Sequence, residues 1–571
     1  MQSVFLLSIR RLRAPLILII LVFAFSTVGL TLIPGIDPAG RPWHMTIFEA
    51  VYFVAYTATT IGFGEIPYPF TDQQRLFVTV IIYLSVIGWA YLLGSFLSIA
   101  QDKAFQHAMV SARFRRSVSG LREPFYLVCG LGETGLTVVR VLDHLGTRFT
   151  AIDRDEHRVQ ALEIEALSLD APVLTADVRS PETLSSAGLL KPECMGVLAL
   201  CNDDEANLAI AISACLLRPN LPVISRANSP QVAASMAALG TYRVISPSHE
   251  FGEHLELAMR APDTHRLLGW LTSTPGSYLP PSLPPRIPVA PGHWIVCGYG
   301  RYGTQVVAAV QRGGFNATII DPAGLQVAGL RCIRGTGTGA AELREAGVET
   351  ASGIFGGTDD DTANLAIAIA ARRLNPNIFI ILRQNLQSSS VLFTKFGADM
   401  TMVTSQIIAT ECIAVLRTPL LAAFLDLTRR KDDLWAYSLA ESLRDLLGDE
   451  APSFWSFAIE AGEAPGLLDA MDRVAGPVRA GDLSRSAQAR QDRVPCMALL
   501  LVRGTQTVEL PDDDFPLEAG DRLLFAGRRS AEDNQVLVRR NANVAAYVLG
   551  ERRAAEGWVW RKVEGMVVRS G

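Results

Sequence analysis

The residues best placed to do chemistry are Thr60-Ile61-Gly62-Phe63-Gly64, flanked by Thr59 and Glu65. Their chemistry is that of the main chain. Glycine enters the left-handed backbone region at little cost, so glycines at 62 and 64 let consecutive peptide planes point their oxygens one way. Rings of such oxygens can replace the hydration shell of a cation. The elements around the turn must then hold it inside a membrane. It lies between two apolar segments, Ala14 to Ile33 and roughly Phe77 to Ile99. The first run, about 19 residues or about 28 Å of helix, suits a full crossing better than a secretory leader, and Pro34-Gly35 closes it. Residues 46–58 are apolar and aromatic but too short to cross. They fit a re-entrant helix, buried in protein or lining a cavity, with its C-terminal dipole end toward the cation.

The wider composition agrees. A chain of 571 residues predicts three to five domains. Its net charge of -5 gives no polyelectrolyte partner, so nucleic acid is not expected. The hydrophobic share of 49% and mean hydropathy of +0.24 owe their excess to the N-terminal part. Arg10, Arg11 and Arg13 precede the first span, and Lys103, Arg113, Arg115, Arg116 and Arg122 follow the second. That bias places both termini in the cytoplasm of a multi-pass protein of the cell (inner) membrane. Irregular backbone does not face lipid, so one such turn needs symmetry mates around an axis. The eight cysteines are scattered singly after the spans, which argues for free thiols rather than disulfides or zinc.

The rest of the chain is a repeat. Gly130-x-Gly132-x-x-Gly135 follows an apolar strand and precedes a helix and a strand ending in Asp153; Gly298-x-Gly300-x-x-Gly303 is followed in the same way by Asp321. The copies share an offset of 168 here. Further on the offset is 157, at Asp204-x-x-Asn207 with Asp361-x-x-Asn364 and at Arg226-x-Asn228 with Arg383-x-Asn385. Two constant offsets mark a duplicated domain. Each copy reads as the first half of a Rossmann unit, with phosphate on the helix N-terminus and the aspartate on ribose hydroxyls. The copies differ: Glu133 in the first phosphate loop would oppose phosphate, whereas Arg301 in the second would assist it. Asp177 follows the third strand of the first copy, where the second has Gly335-Thr336-Gly337-Thr338.

Thr60 to Glu65 resembles the selectivity filter of potassium channels, Thr-Val-Gly-Tyr-Gly-Asp, with Ile61, Phe63 and Glu65 as mild replacements. Phe63 lacks the phenolic donor that braces many filters, and Tyr52 and Tyr56 are expected to compensate. Glu65 and Asp72 would concentrate cations at the outer mouth. Gly88 and Gly94 fit either a gating hinge or close helix packing. The tandem Rossmann units with Asp-Asp-x-x-Asn are similar to RCK (KTN, TrkA-N-like) domains. The combination resembles prokaryotic ligand-gated two-span potassium channels.

That resemblance implies an α-helical two-span membrane pore module, two α/β Rossmann-like (RCK) domains and a small α+β C-terminal lobe. The expected divisions are a pore module over 1–102 (span 14–33, pore helix 46–58, filter 59–65, span 75–100), a gating linker over 103–123 and a first RCK domain over 124–265. A proline-rich linker over 266–292, a second RCK domain over 293–430, a lobe over 431–545 and a tail over 546–571 complete it. It further implies a homotetramer in the lipid bilayer, with one pore for K⁺ and an eight-unit RCK ring, gated by a small-molecule or ion ligand. NAD(H) or an adenine nucleotide in the glycine-rich clefts is one candidate ligand, and Ca²⁺ at Asp203, Asp204, Asp360 and Asp361 is another. No enzyme activity is expected: the eight histidines form no proton-donor constellation, which disfavours a membrane-anchored NAD-dependent oxidoreductase. A component of a Trk/Ktr-type potassium uptake transporter would carry four pore loops in one chain and its regulator on another.

Overall fold

The structure, a computed structural model, describes residues 2–273, 292–473 and 476–550. Most of the proline-rich linker and the tail beyond 550 lie outside the described residues. The chain divides into two compact units, 1–121 and 122–571.

In the first unit, helices Gln2–Leu32 and Asp72–Ala100 pack against each other. Both are long and apolar enough to cross a membrane. Between them, helix Ile47–Ala58 starts at Thr46 with a reciprocal cap. Glu49 N donates to the Thr46 hydroxyl (3.3 Å), and Thr46 N donates to Glu49 Oε2 (2.8 Å). Its 12 residues reach only about 18 Å. Leu30, Phe53, Val54, Tyr56, Phe70 and Ile81 form the core of this unit. A further helix, Lys103–Gly120, occupies most of the expected linker.

The second unit holds two six-stranded parallel sheets of one topology. In the first, the spatial order is 173–175, 148–153, 125–129, 194–199, 223–226 and 243–245. In the second it is 331–334, 316–321, 293–297, 353–356, 379–384 and 400–403. Strand order 3-2-1-4-5-6 is that of a doubly wound dinucleotide fold, with its switch point beside the first strand, where the glycine-rich loop begins. The third glycine of each loop has no room for a side chain: a Cβ on Gly135 would sit 1.9 Å from the Gly130 carbonyl oxygen, and one on Gly303 equally close to Gly298 O.

After its sixth strand each copy sends a helix across to the other. Pro247–Arg260 leaves the first copy and packs on Arg301–Arg312 of the second. Phe251 sits there against Tyr302 and Phe355. Thr404–Arg417 makes the reciprocal crossing onto Glu133–His144, burying Ile408, Ala409 and Cys412 in the first copy's core. Each crossing helix is followed by a shorter one, Pro262–Leu271 or Pro419–Thr428. Both short helices pack under a four-stranded antiparallel sheet, ordered 453–458, 522–527, 496–503 and 506–509, together with Asp433–Leu447. All eight cysteines are free.

The Asp-x-x-Asn motif serves as a brace in both copies. Asn364 Nδ2 donates to the Thr358 and Arg383 carbonyls (3.0 and 2.9 Å), and its Oδ1 accepts from Thr358 N (2.8 Å). Asn207 does the same with Cys201 and Arg226. Asn364 is fully buried, so Asn364→Ala strands these groups. It should cost about 1–3 kcal/mol, read as a lowered melting temperature of the full-length protein.

Candidate functional site

At the turn, positive φ falls on alternate residues: Thr60 (62°), Gly62 (66°) and Gly64 (93°). Thr60 is β-branched, and its surroundings must hold it there. Thr60 N donates to Thr57 O (3.1 Å), while Ile61 N and Gly62 N both donate to Tyr56 O (2.9 and 3.4 Å). These acceptors are the unpaired last carbonyls of the short helix. Across a planar trans peptide the N–H and the preceding C=O point in opposite directions. The carbonyls of Thr59, Thr60 and Ile61 therefore point away from the short helix, as a file of acceptors. Gly64 behaves differently: its carbonyl accepts from the Tyr56 hydroxyl at 2.6 Å. Phe63 lies between Tyr52 (stacked, 6.4 Å) and Tyr56 (edge-on, 5.4 Å), so the two tyrosines brace the turn by packing and by that hydrogen bond.

Glu65 is not a free mouth carboxylate. Arg75 Nε reaches Glu65 Oε1 at 2.8 Å, and Phe70 N donates to Oε2 at 2.8 Å. The Arg75 guanidinium and the Phe70 amide hold the carboxyl below its usual range. Their interaction offsets the charge that sequence reasoning assigned to cation capture; Arg75 stands ten residues away on the next helix. Asp72 also faces Arg75, at 3.8 Å. A Cβ on Gly88 would touch Ile19 at 3.4 Å, as close packing requires, whereas Gly94 faces open space; both lie within one continuous helix, Asp72–Ala100.

The second site is a cavity of about 590 Å³ at the first copy's switch point. Gly130, Gly132, Asp153 and Asp177 line it, and Arg226, Arg301 and Arg383 stand over it from the first copy's fifth strand and from the second copy. Asp153 accepts from Leu131 N (2.5 Å) and Asp155 N (2.8 Å), bracing the loop that would meet phosphate. Asp321 repeats this with Tyr299 N and Ala323 N. Arg301 thus faces the first cleft rather than serving only the loop that carries it. Glu133, expected to oppose phosphate, lines the same cavity and accepts from Gln387 N of the second copy at 3.1 Å.

Arg383 lies over the Tyr302 ring at 3.8 Å and donates to Asp359 at 2.8 Å. Arg226 donates to Asn202 and Asn228. The Nε atoms of Arg226 and Arg383 are enclosed without a hydrogen-bond partner. Burial pushes the Arg226 guanidinium down, and Arg301 and Arg383 beside it add to that. Such a crowded cationic group favours an anion. In the sequence Arg226 and Arg383 stand out only as repeat markers; their shared place at the end of the fifth strand is the signal that they meet at one cleft.

The four aspartates expected to hold Ca²⁺ are committed elsewhere. Asp204 accepts from Asn228 N and Nδ2 and from Ser229 N, and Asp361 accepts from Asn385 N and Nδ2 and from Leu386 N. Asp203 and Asp360 cap the following helices, and Asp203 also pairs with Arg179. These caps and loop braces account for the acidic residues at these positions without a bound cation.

Family models match the chain in three places. One described as an ion channel covers 17–102, and one described as a TrkA-N domain covers 126–247 and again 294–404. An uncharacterized protein of Methanothermus fervidus is 26% identical over 246 residues, 42% of this chain and 37% of that protein. Potassium channel protein 1 of Methanocaldococcus jannaschii is 28% identical over 263 residues, 45% of this chain and 73% of that one. The solved GsuK channel is 16% identical, with 92% of this chain and 98% of that one covered at a TM-score of 0.47. The chain thus joins a two-span ion-channel domain to tandem TrkA-N domains in one polypeptide.

Glu133→Ala removes the acceptor that ties the first glycine-rich loop to the second copy. Amide hydrogen exchange at Gln387 should quicken about tenfold, matching the loss of one charge-assisted hydrogen bond.

Proposed function

We propose that the protein is a potassium-selective channel of the inner membrane, formed by four chains, whose opening is set by a nucleotide in the first TrkA-N cleft. One observation carries the reading: the amides of Thr60, Ile61 and Gly62 are spent on the short helix, so the opposite carbonyls need a partner. In a bilayer core an unmet carbonyl costs several kcal/mol. A dehydrated cation on a shared axis supplies that partner. The ligating oxygens begin at Thr59 and run through Ile61 toward Phe63, with Gly64 held back by Tyr56. Potassium is favoured by the filter-like sequence and by the potassium channel protein among the relatives. Na⁺ is the competitor to be excluded.

Regulation rests on the cleft between the copies. A phosphate-bearing ligand, NAD(H) or an adenine nucleotide, would set its phosphates on the loop from Gly130 and satisfy Arg226, Arg301 and Arg383. Its ribose would compete for Asp153. Such a ligand moves the opening equilibrium only by its difference in affinity for open and closed assemblies. The helix Lys103–Gly120 is the covalent route from that ring of eight domains to the second span, and both termini lie in the cytoplasm in this reading. No catalytic step is assigned.

The test is ion flux through the full-length protein in liposomes, with and without NAD⁺, NADH, ADP and ATP. K⁺ should pass and Na⁺ should not, and Tyr56→Phe should narrow that difference. Arg301→Ala, an exposed residue, should raise the nucleotide concentration for half-response about tenfold, as loss of one charged hydrogen bond does. Equal K⁺ and Na⁺ flux would overturn the filter, and an unchanged half-response would overturn the nucleotide assignment.

A further inference from the structure

The two crossing helices touch each other as well as their host copies. Position 254 on the first and position 411 on the second are equivalent by the repeat offset of 157. They hold different residues, His254 and Glu411, and Glu250 sits one turn before His254 on the same helix face. We infer that Glu250, His254 and Glu411 form a divalent-metal site of the zinc and manganese class, which ties the two crossing helices together.

One ligand atom from each of the three residues can be chosen so that all lie within 4.8 Å of one another. Glu250 and Glu411 are each only 6% exposed. Two polar atoms of this trio lack partners: Glu250 Oε2 and His254 Nε2 are enclosed without a hydrogen bond. Buried polar atoms in native structures are nearly always paired, and an orphan pair facing a third carboxylate points to a missing ligand.

Glu411 is oriented from outside the site. Arg243 Nη2 reaches its Oε2 at 3.2 Å, and Arg429 holds its Oε1. Both arginines also pair with Asp426, at 3.6 and 3.2 Å, which offsets part of their charge. Outer partners of this kind fix a metal-binding carboxylate without occupying all its lone pairs. A cavity of about 500 Å³, lined by Glu250, His254, Glu253 and Arg243, gives the ion an entry and room for coordinated water. One imidazole with two carboxylates suits Zn²⁺ or Mn²⁺; Ca²⁺ and Mg²⁺ prefer oxygen alone.

The test uses the full-length protein in detergent, stripped with chelator and titrated with Zn²⁺ by equilibrium dialysis, with Co²⁺ absorption as the coordination reporter. One Zn²⁺ per chain should bind, and His254→Ala and Glu250→Gln should each weaken it about a hundredfold while keeping the far-ultraviolet dichroism of the parent. The visible Co²⁺ bands should vanish in His254→Ala, and excess Ca²⁺ should fail to displace Zn²⁺. Should His254→Ala not fold, Glu250→Gln, which keeps size and shape, decides the question. Coincident Zn²⁺ titrations for parent and variant, or displacement by Ca²⁺, would overturn the site. Neither result bears on ion flux or on the nucleotide response, which rest on other residues.

Discussion

The structure depends on where one short helix sends its last carbonyls. Helix Ile47–Ala58 is short, and its terminal acceptors take the amides of Thr60, Ile61 and Gly62. Peptide planarity then turns the carbonyls of Thr59, Thr60 and Ile61 outward. Positive φ at residues 60, 62 and 64 is how a chain of L-residues accommodates that alignment. Everything else in the first unit serves the turn. Tyr52 and Tyr56 clamp Phe63, Tyr56 fixes the far end at Gly64, and Arg75 ties Glu65 back to the second span. In the proposed channel, a file of aligned carbonyls in lipid needs other chains around it.

The second unit solves a different problem, which is how two copies of one fold act as a single body. Each gives a helix to the other, so neither core closes without its neighbour. The exchange places the first copy's glycine-rich loop opposite Arg301 and Arg383, and it brings Glu250 and His254 to Glu411. Ligand-sized clefts at such a junction report on the relation between the copies, because their walls come from both.

Much of this was legible in the sequence where backbone geometry dictates residue type. The glycines of the turn and of both Rossmann loops, and the strand-ending Asp153 and Asp321, could be read because few other residues meet those demands. The offset change from 168 to 157 marked the duplication. What could not be read was pairing across distance. The charge of Glu65 suggested cation capture, but its partner Arg75 is set by how a loop folds onto a helix. Asp204 and Asp361 looked like acid clusters because a sequence shows charge and hides the amides that consume it. Arg301 was assigned to its own loop, since nothing local tells that a neighbouring copy will cover it. Glu250, His254 and Glu411 escaped notice because 157 residues separate the two equivalent helices that bring them together.

In the proposed channel, main-chain oxygens of several identical chains meet around a dehydrated monovalent cation. The most direct measurement is anomalous scattering from Rb⁺, as a potassium substitute, in crystals of the full-length assembly. A row of Rb⁺ peaks should lie on a symmetry axis, each within coordination distance of carbonyls from Thr59 to Phe63 of every chain. An assembly with no axis beside these residues, or carbonyls that meet only water or side chains while Rb⁺ is absent, would contradict it.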